Sequence, residues 1–185
     1  MRHNEENFII LLIYVDDVIL AGNNLVEMET LKVHLNNKFQ LKDLGDLKHY
    51  AFQMLEDLGH LGCKPVNTPM EANLKLSQDE EDRLADPKLC RRAIGKLQYL
   101  TITRLDISFS VNKLSQFLVT PKAIHMKATE RVLQYVKNCP GQGLFFPATS
   151  EIQLKAYTNA DWGTYPDTRR STTGIFIFLG QSLIS

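Results

Sequence analysis

The chain has no excess of charge of either sign. Over 185 residues, 21 Lys and Arg balance 21 Asp and Glu. A net charge of zero excludes a protein that holds nucleic acid by bulk electrostatics, though it leaves room for a local basic groove. No apolar run is long enough to cross a bilayer. Residues 1–7, MRHNEEN, have none of the pattern of a secretory leader. Cysteine is sparse and odd in number: Cys63, Cys90 and Cys139 lie far apart, with no CxxC. None of the five histidines pairs with another at ligand spacing. These absences exclude a zinc site of the usual spacing and a disulfide framework, and point to a reducing, intracellular and cytoplasmic setting.

What is present centres on Phe8–Gly22, FIILLIYV-DD-VILAG. An apolar run meets two aspartates, and a second apolar run leaves them. Runs rich in Ile and Val read as buried strands, and two acids between them read as a hairpin turn. In a straight strand the side chains of Asp16 and Asp17 would point to opposite faces. At a tight turn that alternation breaks, and both carboxylates converge on one point. Converging carboxylates repel unless a cation separates them, and hard oxygen ligands suit Mg²⁺. An ordinary hairpin with a DD turn fits the four residues Tyr14–Asp17 equally well, so the rest of the chain must decide.

Asn24, with Glu27 three residues on, resembles a capping box. Met28, Leu31, Leu35 and Phe39 follow at helical spacing, predicting a helix over 25–38 whose apolar face packs on the hairpin. Around Gly45 the spacing suggests short strands. Ala51, Leu55 and Leu58 then form a helical stripe ending at Gly59. Residues 62–70, GCKPVNTPM, read as an extended loop, and the polar stretch 71–86 as a boundary or flexible linker. The acids at 79–82 read as solvated surface.

Asp86-Pro87 opens a helix as cap and first-turn proline. Its stripe is Leu89, Ala93, Leu97 and Leu100. Ile107, Val111, Leu114 and Leu118 mark a second helix. Thr120-Pro121 leads into a third with Ala128, Val132, Tyr135 and Val136, stopping at Pro140-Gly141. Together they suggest a small bundle. Arg91, Arg92, Lys96 and Arg104 make a modest basic patch, which serves phosphate contact or plain solvation equally well. In the tail, Ile152, Leu154 and Ala156 alternate with polar residues as a half-buried strand. A second strand spans 174–179, and the pattern at Leu183-Ile184 reads as an unfinished sheet.

The stretches LLIYVDDVILAGN, FQLKDLGDLKHY, LGCKPVNTPM, RRAIGKLQYLTITRLDISFSVNKLSQF, VLQYVKNCPGQGL and AYTNADWGTYPDTRRSTTGIFIFLG resemble a copia-type retrotransposon polyprotein. They occur in that family's order and cover most of the 185 residues. The resemblance runs from inside the reverse transcriptase into the start of the RNase H. It implies an α+β chain in three parts: a partial palm with the YVDD hairpin over 1–62, a linker and helical thumb or connection over 63–142, and the first strands of an RNase H-like domain over 143–185. It implies Asp16 and Asp17 as catalytic ligands of a two-metal Mg²⁺ site, Tyr14 lining the substrate face, and an RNA or DNA template-primer as partner, with no membrane.

Three departures from the family pattern bear on activity. The third palm carboxylate belongs upstream of YVDD, and Glu5 and Glu6 lack its strand context. The pattern breaks off between Tyr50 and Ala51, as after an internal deletion. The first RNase H carboxylate of Y-[ST]-D-A-D-W is replaced by Asn159, whose amide has no charge for Mg²⁺; the neighbouring Asp161 is kept, and the other RNase H acids would lie beyond Ser185. The expectation is a reverse transcriptase fragment that is catalytically silent. The alternatives are a working polymerase and a non-enzymatic binder of nucleic acid through Arg91, Arg92, Lys96 and Arg104.

Overall fold

The computed structural model describes residues 7–14, 17–41, 43, 45–72, 74–77, 84–145, 147, 153–163 and 169–185; for Leu12, Tyr14 and Asp17 it describes the backbone alone. The expected acids at 79–82 and the residue Ile152 lie outside these. Two compact units divide at residues 44 and 45. The described residues form five α-helices and two small antiparallel sheets, an α+β chain.

The first unit holds strands β1 (Ile9–Tyr14) and β2 (Asp17–Gly22) and helix α1 (Leu25–Phe39). Asn24 caps α1 by accepting from the amides of Val26 and Glu27, at 3.0 and 3.2 Å. The reciprocal half of a capping box is not made, because the Glu27 carboxylate accepts from Asn7 instead. Met28, Leu31 and Leu35 are half-buried, and α1 touches β2. Phe39, expected on the same stripe, is exposed, as are Leu25, Val26 and Val33. A two-stranded ribbon is too narrow to cover a four-turn helix.

The second unit begins at Gly45, whose φ of 76° leads into the cap Asp46. Asp46 accepts from the His49 amide at 2.7 Å, and helix α2 (Leu47–Asp57) starts at once. This overturns the expected short strands around Gly45, since the cap and the apolar spacing act together there. Helix α2 runs unbroken through Tyr50 and Ala51. Ala51, Met54, Leu55 and Leu58 are buried. The ring of Tyr50 tilts against Tyr99 with centroids 5.2 Å apart.

Helices α3 (Pro87–Leu100), α4 (Ser108–Ser115, after a 3₁₀ turn at Leu105–Ile107) and α5 (Ala123–Asn138) complete the core with α2. Asp86 caps α3 by accepting from Lys88 and Leu89. Cys90, Ala93, Ile94 and Leu97 meet Val111, Leu114, Val132, Leu133 and Val136, all buried. Each fully buried leucine contributes roughly 1.5–3 kcal/mol by leaving water.

The stretch read as a flexible linker is partly anchored. Leu76 is buried, and Leu74 packs on the core. Helices α4 and α5 also reach out to the loop before it. Lys113 donates to the Leu74 carbonyl at 2.7 Å, and Lys137 to the carbonyls of Leu61 and Cys63. Arg131 bonds Thr68 and Glu71. Because these bonds span 39 to 76 residues of chain, no local pattern announces them.

Strands β3 (Leu154–Asp161), β4 (Thr172–Leu179) and β5 (Ser182–Leu183) form the second sheet, in that order. Every residue of β3 is exposed. The expected half-buried strand is therefore corrected: alternation in sequence marks two chemically different faces, but neither is buried here.

Candidate functional site

The hairpin is built by apolar β-branched and leucine side chains, which favour a pleated pair. Register runs from Ile9↔Gly22 to Tyr14↔Asp17. The last pair leaves two residues between the strands, Val15 and Asp16, which lie outside the described residues. The open end is pinned by Asn23, whose side chain accepts from the Phe8 amide at 2.9 Å, while its own amide donates back to the Phe8 carbonyl at 3.4 Å. Restraint therefore sits at the end away from the aspartates. The ribbon is not buried as its apolar content suggests. Ile13 is 68% exposed and Leu11 40%, on the face shared with Ile9.

The two carboxylates fit Mg²⁺ in kind, being hard oxygen donors next to each other. They are few in number for a closed site. Among the described residues no three of His, Cys, Asp and Glu gather as a metal-binding group.

The basic residues divide between surface and interior. Arg91 and Arg92 are exposed on α3. Arg91 donates to the carbonyls of Leu118 and Val119 at 2.7 and 2.8 Å, beyond the end of α4. Arg92 reaches the Asp57 carbonyl at the end of α2, and Lys96 pairs with the Asp57 carboxylate. That bond from Lys96 holds the Asp57 carboxyl below its usual range. Arg104 does not share the patch. Its side chain is 1% exposed and donates to both oxygens of Asp106, at 2.9 and 2.7 Å, and to the Cys139 carbonyl at 2.8 Å. Its guanidinium lies 5.6 Å from the Tyr135 ring centroid.

Burial alone would push the Asp106 carboxyl up, but the bonds from Arg104, helped by one from Tyr135, hold it below the usual value. Burial and the bond to Asp106 push the Tyr135 phenol up to about 12. The network Arg104–Asp106–Tyr135–Cys139 was missed in the sequence. Its only trace there is the RLD triplet, an arginine two residues from an acid.

Asn159 stands on β3 opposite Gly174, and Asp161 opposite Thr172 at the last pair. Being two residues apart, they share a face of the sheet. Both are exposed.

Strands β1 and β2 pair on either side of the YVDD stretch, and helix α1 follows them. A family model described as reverse transcriptase (RNA-dependent DNA polymerase) matches residues 1–71. The chain belongs to the copia-type retrotransposon Pol polyprotein family. It is 36% identical to an uncharacterized mitochondrial protein of Arabidopsis thaliana, over 95% of this chain and 80% of that one. It is 33% identical to the retrovirus-related Pol polyprotein from transposon RE1 of the same plant, over 97% of this chain and 14% of the polyprotein. A second uncharacterized mitochondrial protein of that plant is 57% identical over 41% of this chain and 68% of its own length. The chain thus spans a small part of the polyprotein it matches.

The alignment with the RE1 polyprotein runs over 199 positions, more than the 185 residues of this chain. That relative therefore has residues with no counterpart here. No solved structure matches the chain. Among the described residues no helix is long and apolar enough to cross a membrane.

Proposed function

We propose that the chain is a reverse transcriptase fragment whose hairpin carries the metal-binding half of a two-metal nucleotidyl-transfer site, and that these 185 residues alone do not polymerise. The observation that carries this reading is the YVDD turn. It lies within the family match over residues 1–71, at the closed end of a strand pair whose last partners are Tyr14 and Asp17. Asp16 and Asp17 would hold Mg²⁺, and Tyr14 would line the substrate side. Bound there, the metal supplies charge neutralisation at the transferring phosphoryl group and activation of the attacking hydroxyl. The hairpin's own part is to pair β1 with β2 up to Tyr14 and Asp17.

Catalytic silence is supported by three features. The hairpin supplies two carboxylates. Residues present in the RE1 polyprotein have no counterpart here, and the family pattern breaks at Tyr50–Ala51. Asn159 stands where the RNase H pattern has an acid. On this reading residues 1–62 are a palm remnant, 63–142 thumb and connection, and 143–185 an RNase H-like start. The template-primer of the ancestral enzyme is the partner. The three free cysteines go with an intracellular, cytoplasmic setting.

The test is primer extension. Purified protein with template-primer, dNTPs and Mg²⁺ is expected to extend no further than the Asp16→Ala, Asp17→Ala double variant. Template-dependent extension that the double variant abolishes would establish a working polymerase. A second reading, a binder without chemistry, is favoured by the exposure of Arg91 and Arg92 on α3. It predicts salt-sensitive binding of nucleic acid that falls when both are replaced by Ala.

A further inference from the structure

The two faces of the β3–β4–β5 sheet differ in chemistry. Cross-strand partners share a face, so the register sorts the side chains. One face is mostly aliphatic, with Leu154, Ala156, Ile175, Ile177 and Leu179 beside Thr158 and Thr173. The other carries Lys155, Tyr157, Asn159, Phe176 and Phe178. All the aromatic rings of the two long strands lie on this second face, beside a cation and an amide.

The rings are presented to solvent. Tyr157 is 59% exposed, and Phe176, its direct cross-strand partner, is 48% exposed. Tyr157 meets Phe178 edge-on, with centroids 5.9 Å apart at 85°, an arrangement that fixes its tilt. The ring of Phe176 leans over Gly174, where a Cβ would stand 3.6 Å from it. At the end where the strands part, Trp162 is 86% exposed, and Arg169 and Arg170 lead, exposed, into β4. Asp161 is the acid on this face, at that same end.

A protein layer laid over this face would bury the Lys155 ammonium and the Asn159 amide, which costs free energy unless each finds a partner. The aliphatic face carries no charge, only the hydroxyls of Thr158 and Thr173, so covering it costs less. A nucleic-acid strand suits the aromatic face over Lys155, Tyr157, Phe176 and Asn159, away from Asp161 at its end. Its bases offer π surfaces to the rings, its phosphates meet the cation, and its base edges bond an amide.

We propose that the aromatic face of this sheet binds single-stranded nucleic acid, with bases stacked on Tyr157 and Phe176 and a phosphate on Lys155. The proposal stands apart from the polymerase reading, because it needs neither metal nor the hairpin. It also differs from the basic helical face, because stacking rather than charge carries it.

Binding of a fluorescein-labelled single-stranded oligonucleotide of about twelve nucleotides to the full chain, followed by anisotropy, tests it. Tyr157→Ala and Phe176→Ala should each weaken binding by about tenfold, and Tyr157→Phe, which keeps the ring, should restore it. Ile175→Ala, on the aliphatic face, should leave binding unchanged. Lys155→Ala should lower the slope of log affinity against log salt by about one. Because all these side chains are exposed, circular dichroism should show the fold intact in each variant. The proposal is overturned if the parent chain binds no single strand or prefers an RNA–DNA hybrid. It is equally overturned if both ring variants bind like the parent while Arg91→Ala with Arg92→Ala abolishes binding.

Discussion

Arg104 and Asp106 stand two residues apart in the chain and face each other through two hydrogen bonds, Nε to Oδ1 at 2.9 Å and Nη2 to Oδ2 at 2.7 Å. The arginine is almost wholly out of solvent, while 24% of the aspartate side chain is exposed. Removing one partner strands the other's charge. Asp106→Ala should destabilise the helical unit by about 3 kcal/mol, read as a fall in the midpoint of urea unfolding at neutral pH. Asp106 has a folded-state value below its ordinary 3.8. Its contribution is therefore complete above that value and is lost as pH falls through the lower folded value. The gap between parent and variant should close in acid, and a gap unchanged at low pH would contradict the assignment.

Tyr135 gives the opposite sign. Its phenol is raised from 10 to about 12, so the stability it adds is complete below pH 10 and is lost as pH rises through about 12. In an ultraviolet titration a tyrosine step should appear at about pH 12, and Tyr135→Phe should remove it. A titration identical in parent and variant would rule the network out.

Leu55 lies on α2 and is wholly buried. Leu55→Ala should cost about 2–5 kcal/mol, and its unfolding should still be a single transition shared with α3–α5. Val33→Ala, on an exposed part of α1, should change stability by less than about 0.5 kcal/mol. Equal losses would mean that α2 is not part of the helical core.

Two carboxylates without further protein ligands should hold Mg²⁺ with a dissociation constant on the order of millimolar or weaker, because Mg²⁺ keeps its waters and borrows substrate oxygens. Calorimetry measures this directly. Micromolar affinity that disappears in Asp17→Asn would reveal a ligand not yet identified.

Restoring the acid by Asn159→Asp should give no cleavage of RNA in an RNA–DNA hybrid. Residue 159 lies on an exposed strand, and among the described residues no group of three acids or other ligands forms around it. Hybrid-specific, Mg²⁺-dependent cleavage by the variant alone would show a site assembling there after all.

The elements that were legible in the sequence are those where local rules agree. Asn24 and Asp86 announce their helices by capping, and the α3 and α5 stripes announce a core. The pairing of β1 and β2 was visible because the two apolar runs read as strands. What was not visible depends on distance along the chain. Nothing near Lys113 and Lys137 in sequence marks them as anchors, because the carbonyls they bind lie 39 to 76 residues away. Arg104 read as part of a basic patch because nothing in sequence shows that α5 brings Tyr135 and Cys139 to it. Exposure misled in the other direction. Ile13 and the alternating residues of β3 have the pattern of buried strands, but pattern records only which side chains share a face, not whether anything covers it.

Helix α2 passes without a break through Tyr50 and Ala51, and this sets a condition of angular phase. Residues before and after that point, Tyr50 on one side and Met54, Leu55 and Leu58 on the other, point to one side of the same helix. Each residue turns a helix by about 100°. One residue inserted or removed there would swing the second half of α2 away from the first and turn Met54 and Leu55 toward water. The helix thus reaches the core as a single rod because the rotations of its two halves agree.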